Sequence, residues 1–180
     1  MDSKAEGGRV PAWPDDAAPD TGTQASARAR LARVPAPLYF SVCFGAGAGL
    51  QHLLGLPAPA GAWAGTFHLV GTVLANAALL LVLASLALFA AARTTLLPGG
   101  SASRLVTGGP FRISRNPMYL SLVLAYAGVA LMLDLPWALA LLPVPALLAQ
   151  RVQIPFEEAR MARLFGREYL DYRSRVRRWL

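Results

Sequence analysis

The sequence predicts an all-α, polytopic membrane protein with four transmembrane helices, the last two a short helical hairpin, followed by a C-terminal amphipathic cytoplasmic helix. Three observations carry that expectation. Hydrophobic residues make up 55% of the 180 and charged residues only 15%, against about 25% charged in a typical soluble domain. The charges are also segregated: none falls between Arg33 and Arg93, and only Asp134 interrupts the interval from Arg115 to Arg151. Finally, all 17 Lys and Arg residues lie in residues 1–34, in 93–117, or from Arg151 onward. With four crossings those three regions share one face, which the positive-inside rule makes cytoplasmic, with both termini there. An odd number of crossings would split them.

Residues 1–34 mix Asp, Pro, Gly, Ala and Arg without periodicity and read as a disordered cytoplasmic tail. The long apolar run begins too late for a signal peptide. Residues 35–180 form the folded domain. Its first expected span is about 36–56, where Gly45 and Gly49 make a small-xxx-small pair that would admit another helix and leaves an oligomer open. The second, about 66–92, is long enough to cross with some tilt. It carries a weaker pair, Gly71 and Ala75, and a polar Asn76 expected to bond to a neighbouring helix. The third and fourth, about 118–133 and 136–150, are short for a span of about 20 residues. "DLP" at 134–136 marks the turn between them, and Pro143 and Pro145 should bend the fourth because each removes a backbone donor. Beyond it, Met161, Leu164, Phe165, Tyr169, Tyr172 and Val176 recur every three or four residues with arginines between them, an amphipathic pattern whose basic face suits the headgroup layer.

Composition also narrows the function. The one cysteine, Cys43, excludes an internal disulfide and a cysteine-based metal cluster. His52 and His68 have no ligand partner at helical spacing, so no metal site is expected. The net charge of +7 fits orientation and contact with anionic lipid, and no nucleic-acid module is recognisable.

Two segments remain unexplained by membrane insertion alone. "GGPFRISRNPMYLS" at 108–121 places two arginines, an asparagine and a proline immediately before an apolar helix. A cationic turn resting on lipid phosphates, with Pro117 opening the next helix, is one account of it. A binding element is the other. Glu157 and Glu158 stand at the membrane end of the C-terminal helix, where two carboxylates are costly unless a cation needs them. On spacing alone they equally fit the favourable placement of acids at a helix N-terminus.

Together, "TGGPFRISRNPMYL" and, some 40 residues on, "EEARMARLFGREYLDY" resemble the integral-membrane methyltransferases typified by isoprenylcysteine carboxyl methyltransferase and the phospholipid methyltransferases. The family pattern is a Gly-Pro-aromatic-Arg stretch, an Arg-His-Pro-x-Tyr core, a helical hairpin, then Glu-Glu, Phe-Gly and two tyrosines. The resemblance covers roughly 104–180 and implies S-adenosyl-L-methionine as cofactor, bound at the cytoplasmic face by blocks 104–119 and 154–176. Matched position by position, it implies cofactor-binding roles for Gly108, Gly109, Pro110, Phe111, Arg112, Arg115, Asn116, Pro117, Tyr119, Glu157, Glu158, Tyr169 and Tyr172. Phe165 and Gly166 match the Phe-Gly pair. Asn116 departs from the family's usual His: it can form hydrogen bonds but cannot serve as a general base, and no catalytic residue is assigned.

The residue types suit the cofactor. Arginine suits its carboxylate, a glutamate its ammonium, an aromatic face its sulfonium, and the backbone at Gly108–Gly109 could approach it closely. The expected activity is methyl transfer to a lipophilic or membrane-embedded small acceptor, a carboxylate, amine or thiol, with membrane lipids as surroundings. The Ala-, Leu- and Arg-rich composition points to a bacterial inner membrane. The alternative is a non-catalytic membrane protein whose basic helix holds anionic lipid or a partner protein.

Overall fold

The computed structural model describes residues 30–55, 62–92 and 104–180. Most of the expected N-terminal tail, the centre of the first interhelical connection and the start of the basic loop lie outside the described residues. Among the described residues the fold is entirely helical. Helix α1 spans Ala36–Leu54 and α2 spans Ala62–Ala91. A 3₁₀ turn at Gly109–Arg112 precedes α3, Pro117–Met132. Then come α4 at Pro136–Leu141, α5 at Pro143–Leu148, a π turn at Ala149–Gln153, and α6 at Ile154–Arg175.

The sequence accounts for these boundaries. Proline stands at the start of α3, α4 and α5, where its missing N–H costs nothing and its fixed φ favours a first helical turn. Gly55, at φ 56°, caps α1, and its N–H bonds to the Gln51 carbonyl at 2.9 Å. Asp134 adopts φ 52° in the expected turn between α3 and α4, a conformation that Asp tolerates.

Two helices are long and apolar enough to cross a membrane: Trp63–Ala91, and the 40-residue run Pro136–Arg175. Little of the first is buried, and Leu69, Val73, Leu80 and Leu83 on it are exposed. An apolar helix exposed this way is not a buried core helix, and its surface suits a lipid environment. The fourth expected span and the C-terminal helix thus follow each other through the π turn without an intervening loop, in a helical run that is interrupted at Gly166. No break in backbone angles marks the expected proline bend: Leu142, between α4 and α5, keeps helical values of φ −52° and ψ −39°.

The structure corrects two packing expectations. The small residues that admit a neighbouring backbone are not Gly45 and Gly49, where an added Cβ would meet nothing within 4 Å. They are Gly47, whose Cβ would lie 2.4 Å from Ala138 Cα, and the Gly71–Gly128 contact, where it would lie 2.7 Å from backbone on either side. The tightly seated pairs are thus α1 on α4 and α2 on α3. Asn76, expected to reach another helix, donates instead to the Thr72 carbonyl within α2 at 2.8 Å. The helical carbonyl one turn back accepts the amide as a second donor, with no need of a partner on another helix.

These contacts gather four chain segments at one end of the bundle. Gly71 of α2 meets the far half of α3, so the two helices run in opposite directions, and Leu88 and Phe89 near the end of α2 reach the 3₁₀ turn. The start of α1 meets the π turn: the Gln153 amide donates to the Val34 carbonyl and its Oε1 accepts from the Tyr39 hydroxyl. The end of α2, the start of α3, the start of α1 and the start of α6 therefore surround one space.

Candidate functional site

That space is a cavity of about 400 Å³, within the usual range of small-molecule sites. Its wall includes Phe111, Arg115, Asn116 and Tyr119 from the turn and α3, and Glu157, Glu158, Tyr169 and Tyr172 from α6. The two blocks that the sequence separates by 40 residues thus face each other across it.

Local backbone geometry aims these residues. The Phe111 ring is buried by the T-shaped stack on Phe89 of α2, with centroids 5.4 Å apart. Its carbonyl accepts the Tyr172 hydroxyl at 2.7 Å. Helix α6 is interrupted at Gly166, where φ 49° and ψ −123° form a conformation that a side chain would oppose. The break redirects the chain so that Tyr169 and Tyr172 turn back toward Phe111 and pack with it in one cluster. Burial raises both phenols, Tyr169 to about 12, so they stay protonated and able to donate.

The charged centre is an Arg–Glu–Arg clasp. Glu158 Oε1 accepts from Arg115 Nη2 at 3.1 Å and from Arg178 Nε at 3.1 Å, while its Oε2 takes Arg178 Nη2 at 2.7 Å. The side chains of Arg115 and Glu158 are each only 9% exposed. Arg115 spends one nitrogen on this clasp, and its buried Nε and Nη1 have no hydrogen-bond partner. A buried guanidinium with two unused donors on a cavity wall is costly unless an anion completes it. Glu157, one residue earlier, accepts the Tyr119 hydroxyl at 2.7 Å and keeps part of its surface open. Burial raises its carboxyl, while the Tyr119 bond and the charge of Arg160 pull it down.

The remaining expected site residues act otherwise. Gly108, Gly109, Pro110, Arg112 and Pro117 do not line the cavity. Gly109 adopts φ 52° to form the turn, and an added Cβ would strike Leu88 at 2.8 Å, so its small size serves packing. The Pro110 carbonyl accepts from Ile113 and Ser114, both at 3.1 Å. Arg112 is exposed, and Pro117 is fully buried at the start of α3. Asn116 lines the cavity, but its amide donates to the Arg178 carbonyl at 3.0 Å and does not cap α3.

Sequence reasoning missed Arg178. It sits in the run "RVRRWL", where nothing in composition separates it from the neighbouring arginines. It also missed the apolar wall supplied by Pro35, Val82, Phe89, Leu105, Phe156 and Met161, which comes from four separate stretches of the chain.

The phospholipid methyltransferase family model matches residues 66–168, more than half of the chain. Protein-S-isoprenylcysteine O-methyltransferase B of Arabidopsis thaliana is 33% identical over 73 residues, 41% of this chain. The match covers 37% of that relative's length. No solved structure matches. The family match takes in the turn, α3 and the glutamate pair, and the chain belongs to the phospholipid methyltransferase family, a family of methyltransferases.

Proposed function

We propose that the protein transfers a methyl group from S-adenosyl-L-methionine to a lipophilic or membrane-embedded small acceptor at the cytoplasmic face of the membrane. The observation that carries this reading is Arg115: buried, with Nε and Nη1 unpartnered, on the wall of a small-molecule-sized cavity that the Glu157 carboxyl also lines. A methyl donor built on an amino acid offers a carboxylate and an ammonium a short distance apart, matching those two groups in charge. The donor supplies an electrophilic methyl on a sulfonium.

The chain's own residues bind, orient and exclude water. Arg115 Nε and Nη1 take the carboxylate in charge-assisted bonds. Glu157, destabilised by burial, gains a cation partner, and the Tyr119 hydroxyl holds it in place. Phe111, Tyr169 and Tyr172 supply the apolar and aromatic wall. Fixing the donor rigidly at the bilayer edge supplies much of the rate of an in-line displacement, because positioning removes most of its entropic cost. The acceptor is a carboxylate, amine or thiol carried on an apolar body.

In this reading four helical passes, α1, α2, α3 and the run from α4, cross the membrane. Residues 1–34, 93–117 and 151–180 then share the cytoplasmic face of a bacterial inner membrane. The convergence of chain segments around one cavity supports it, as does the charge segregation. A purely lipid-holding role for the basic helix would leave Nε and Nη1 of Arg115 buried without a partner.

The test is to incubate membranes containing the protein with methyl-labelled S-adenosyl-L-methionine and extract the lipids. The reading expects label in an apolar product that depends on Arg115. A folded, purified protein that neither binds the donor nor labels any extractable product would remove it.

A further inference from the structure

The last five residues do not trail away from α6. Val176 N–H bonds to the Tyr172 carbonyl at 3.1 Å, and the chain then turns back across the mouth of the 110–116 turn. The Arg177 carbonyl accepts the Arg115 N–H at 3.0 Å. The Arg178 carbonyl accepts the Asn116 amide at 3.0 Å and the Ser114 hydroxyl at 3.3 Å. The Trp179 ring N–H donates to Gln150 Oε1 in the π turn. The segment is a strap fastened to two elements.

We propose that Arg178 is a positioning residue that decides how Arg115 presents itself to the ligand; the inference rests on the donor reading above. Arg178 holds Glu158 through Nε and Nη2 together, a fork that fixes the plane of the carboxylate. With that plane fixed, Arg115 meets Glu158 through Nη2 alone, and its Nε and Nη1 stay available. Without Arg178, Glu158 is released to take Arg115 in the same two-pronged way, withdrawing a donor from the cavity. The strap thus reserves the guanidinium of Arg115 for a ligand carboxylate. Arg178 touches no ligand in this account; it acts through Glu158.

The experiment compares two ligands on the full chain in detergent: S-adenosylhomocysteine, and the analogue lacking its carboxylate. Titration calorimetry on the wild type should show a preference for the carboxylate-bearing ligand. Arg178→Ala should erase about ten-fold of that preference, the worth of one charge-assisted bond, while affinity for the decarboxylated ligand stays near wild type. Arg178→Lys should fall between, since an ammonium restores charge without the fork. If Arg178→Ala proves unfolded, Arg178→Lys carries the same comparison. Equal weakening of both ligands, with the preference intact, would make the strap merely structural and overturn the proposal. Tighter binding of either ligand to Arg178→Ala would overturn it too, marking Arg178 as a placeholder in the ligand's position. A wild type that binds both ligands equally would refute the role of Arg115, and one that binds neither would refute the donor reading itself.

Discussion

Glu158→Gln is expected to destabilise the folded protein by about 3–5 kcal/mol, because it breaks a buried ion network by removing only one partner. The glutamate is the sole acid in the clasp, and two guanidiniums depend on it: Arg115 at 3.1 Å and Arg178 at 2.7 Å. Glutamine keeps the shape and one acceptor oxygen but leaves two positive charges facing each other, with Arg115 only 9% exposed. Thermal unfolding in detergent, followed by loss of helical signal, measures the effect. Glu157→Gln is the contrast. It keeps a bond to Tyr119 and relieves a carboxylate whose charged form is disfavoured by burial, so its folding stability should change little or rise. If the two variants behave alike, the division between a structural and a ligand-facing glutamate is wrong.

The second large effect is on binding. Arg115→Ala should weaken S-adenosylhomocysteine by about 10- to 100-fold, the loss expected when a carboxylate loses paired charge-assisted bonds in a dry site. Folding should suffer less than in Glu158→Gln, because Glu158 still keeps both bonds to Arg178. Arg115→Lys should recover little, since an ammonium cannot hold Glu158 and still present two further donors in the same plane. Titration calorimetry on each variant, with unfolding curves as control, measures this. Near-wild-type affinity in Arg115→Ala would mean that the ligand's carboxylate lies elsewhere.

How much of this was legible beforehand depends on the physics involved. Hydropathy and charge segregation are properties of long windows, so the helical stretches and the turn at Asp134 could be read from the chain. The pairing of the two blocks was legible because a hairpin of known turn type brings their ends together. Roles within the blocks were not. The backbone at Gly108–Gly109 looked suited to approach a ligand, yet Gly109 is small because Leu88 packs on it. That neighbour comes from another helix, which no local window contains. Likewise Asn116 matches a cofactor-binding position, and only the returning C-terminal strap shows where its amide goes. Arg178 was invisible for a related reason: among adjacent arginines, tertiary geometry alone selects the one that pairs. Gly45 and Gly49 made a better small-residue motif than Gly71 and Ala75, yet it is the second pair that admits the α3 backbone at Gly128, because spacing along one helix does not reveal which face its neighbour occupies.

The arrangement also gives Gly166 a purpose. A continuous helix would carry Tyr169 and Tyr172 past the cavity, and the left-handed residue folds them back onto Phe111. Burial then keeps the phenols protonated, which lets Tyr172 donate to the Phe111 carbonyl and lock the 3₁₀ turn to α6. The same bond joins the two blocks, so the geometry of the turn and that of the tyrosines are set together.

The most direct measurement uses a photoactivatable analogue of S-adenosylmethionine, crosslinked to the full-length protein in detergent and mapped by mass spectrometry. Adducts in both segments 104–119 and 154–176, competed away by S-adenosylhomocysteine and lost in Arg115→Ala, are the predicted result. Competed adducts confined to one segment, or mapping to residues outside both, would contradict a site shared between them.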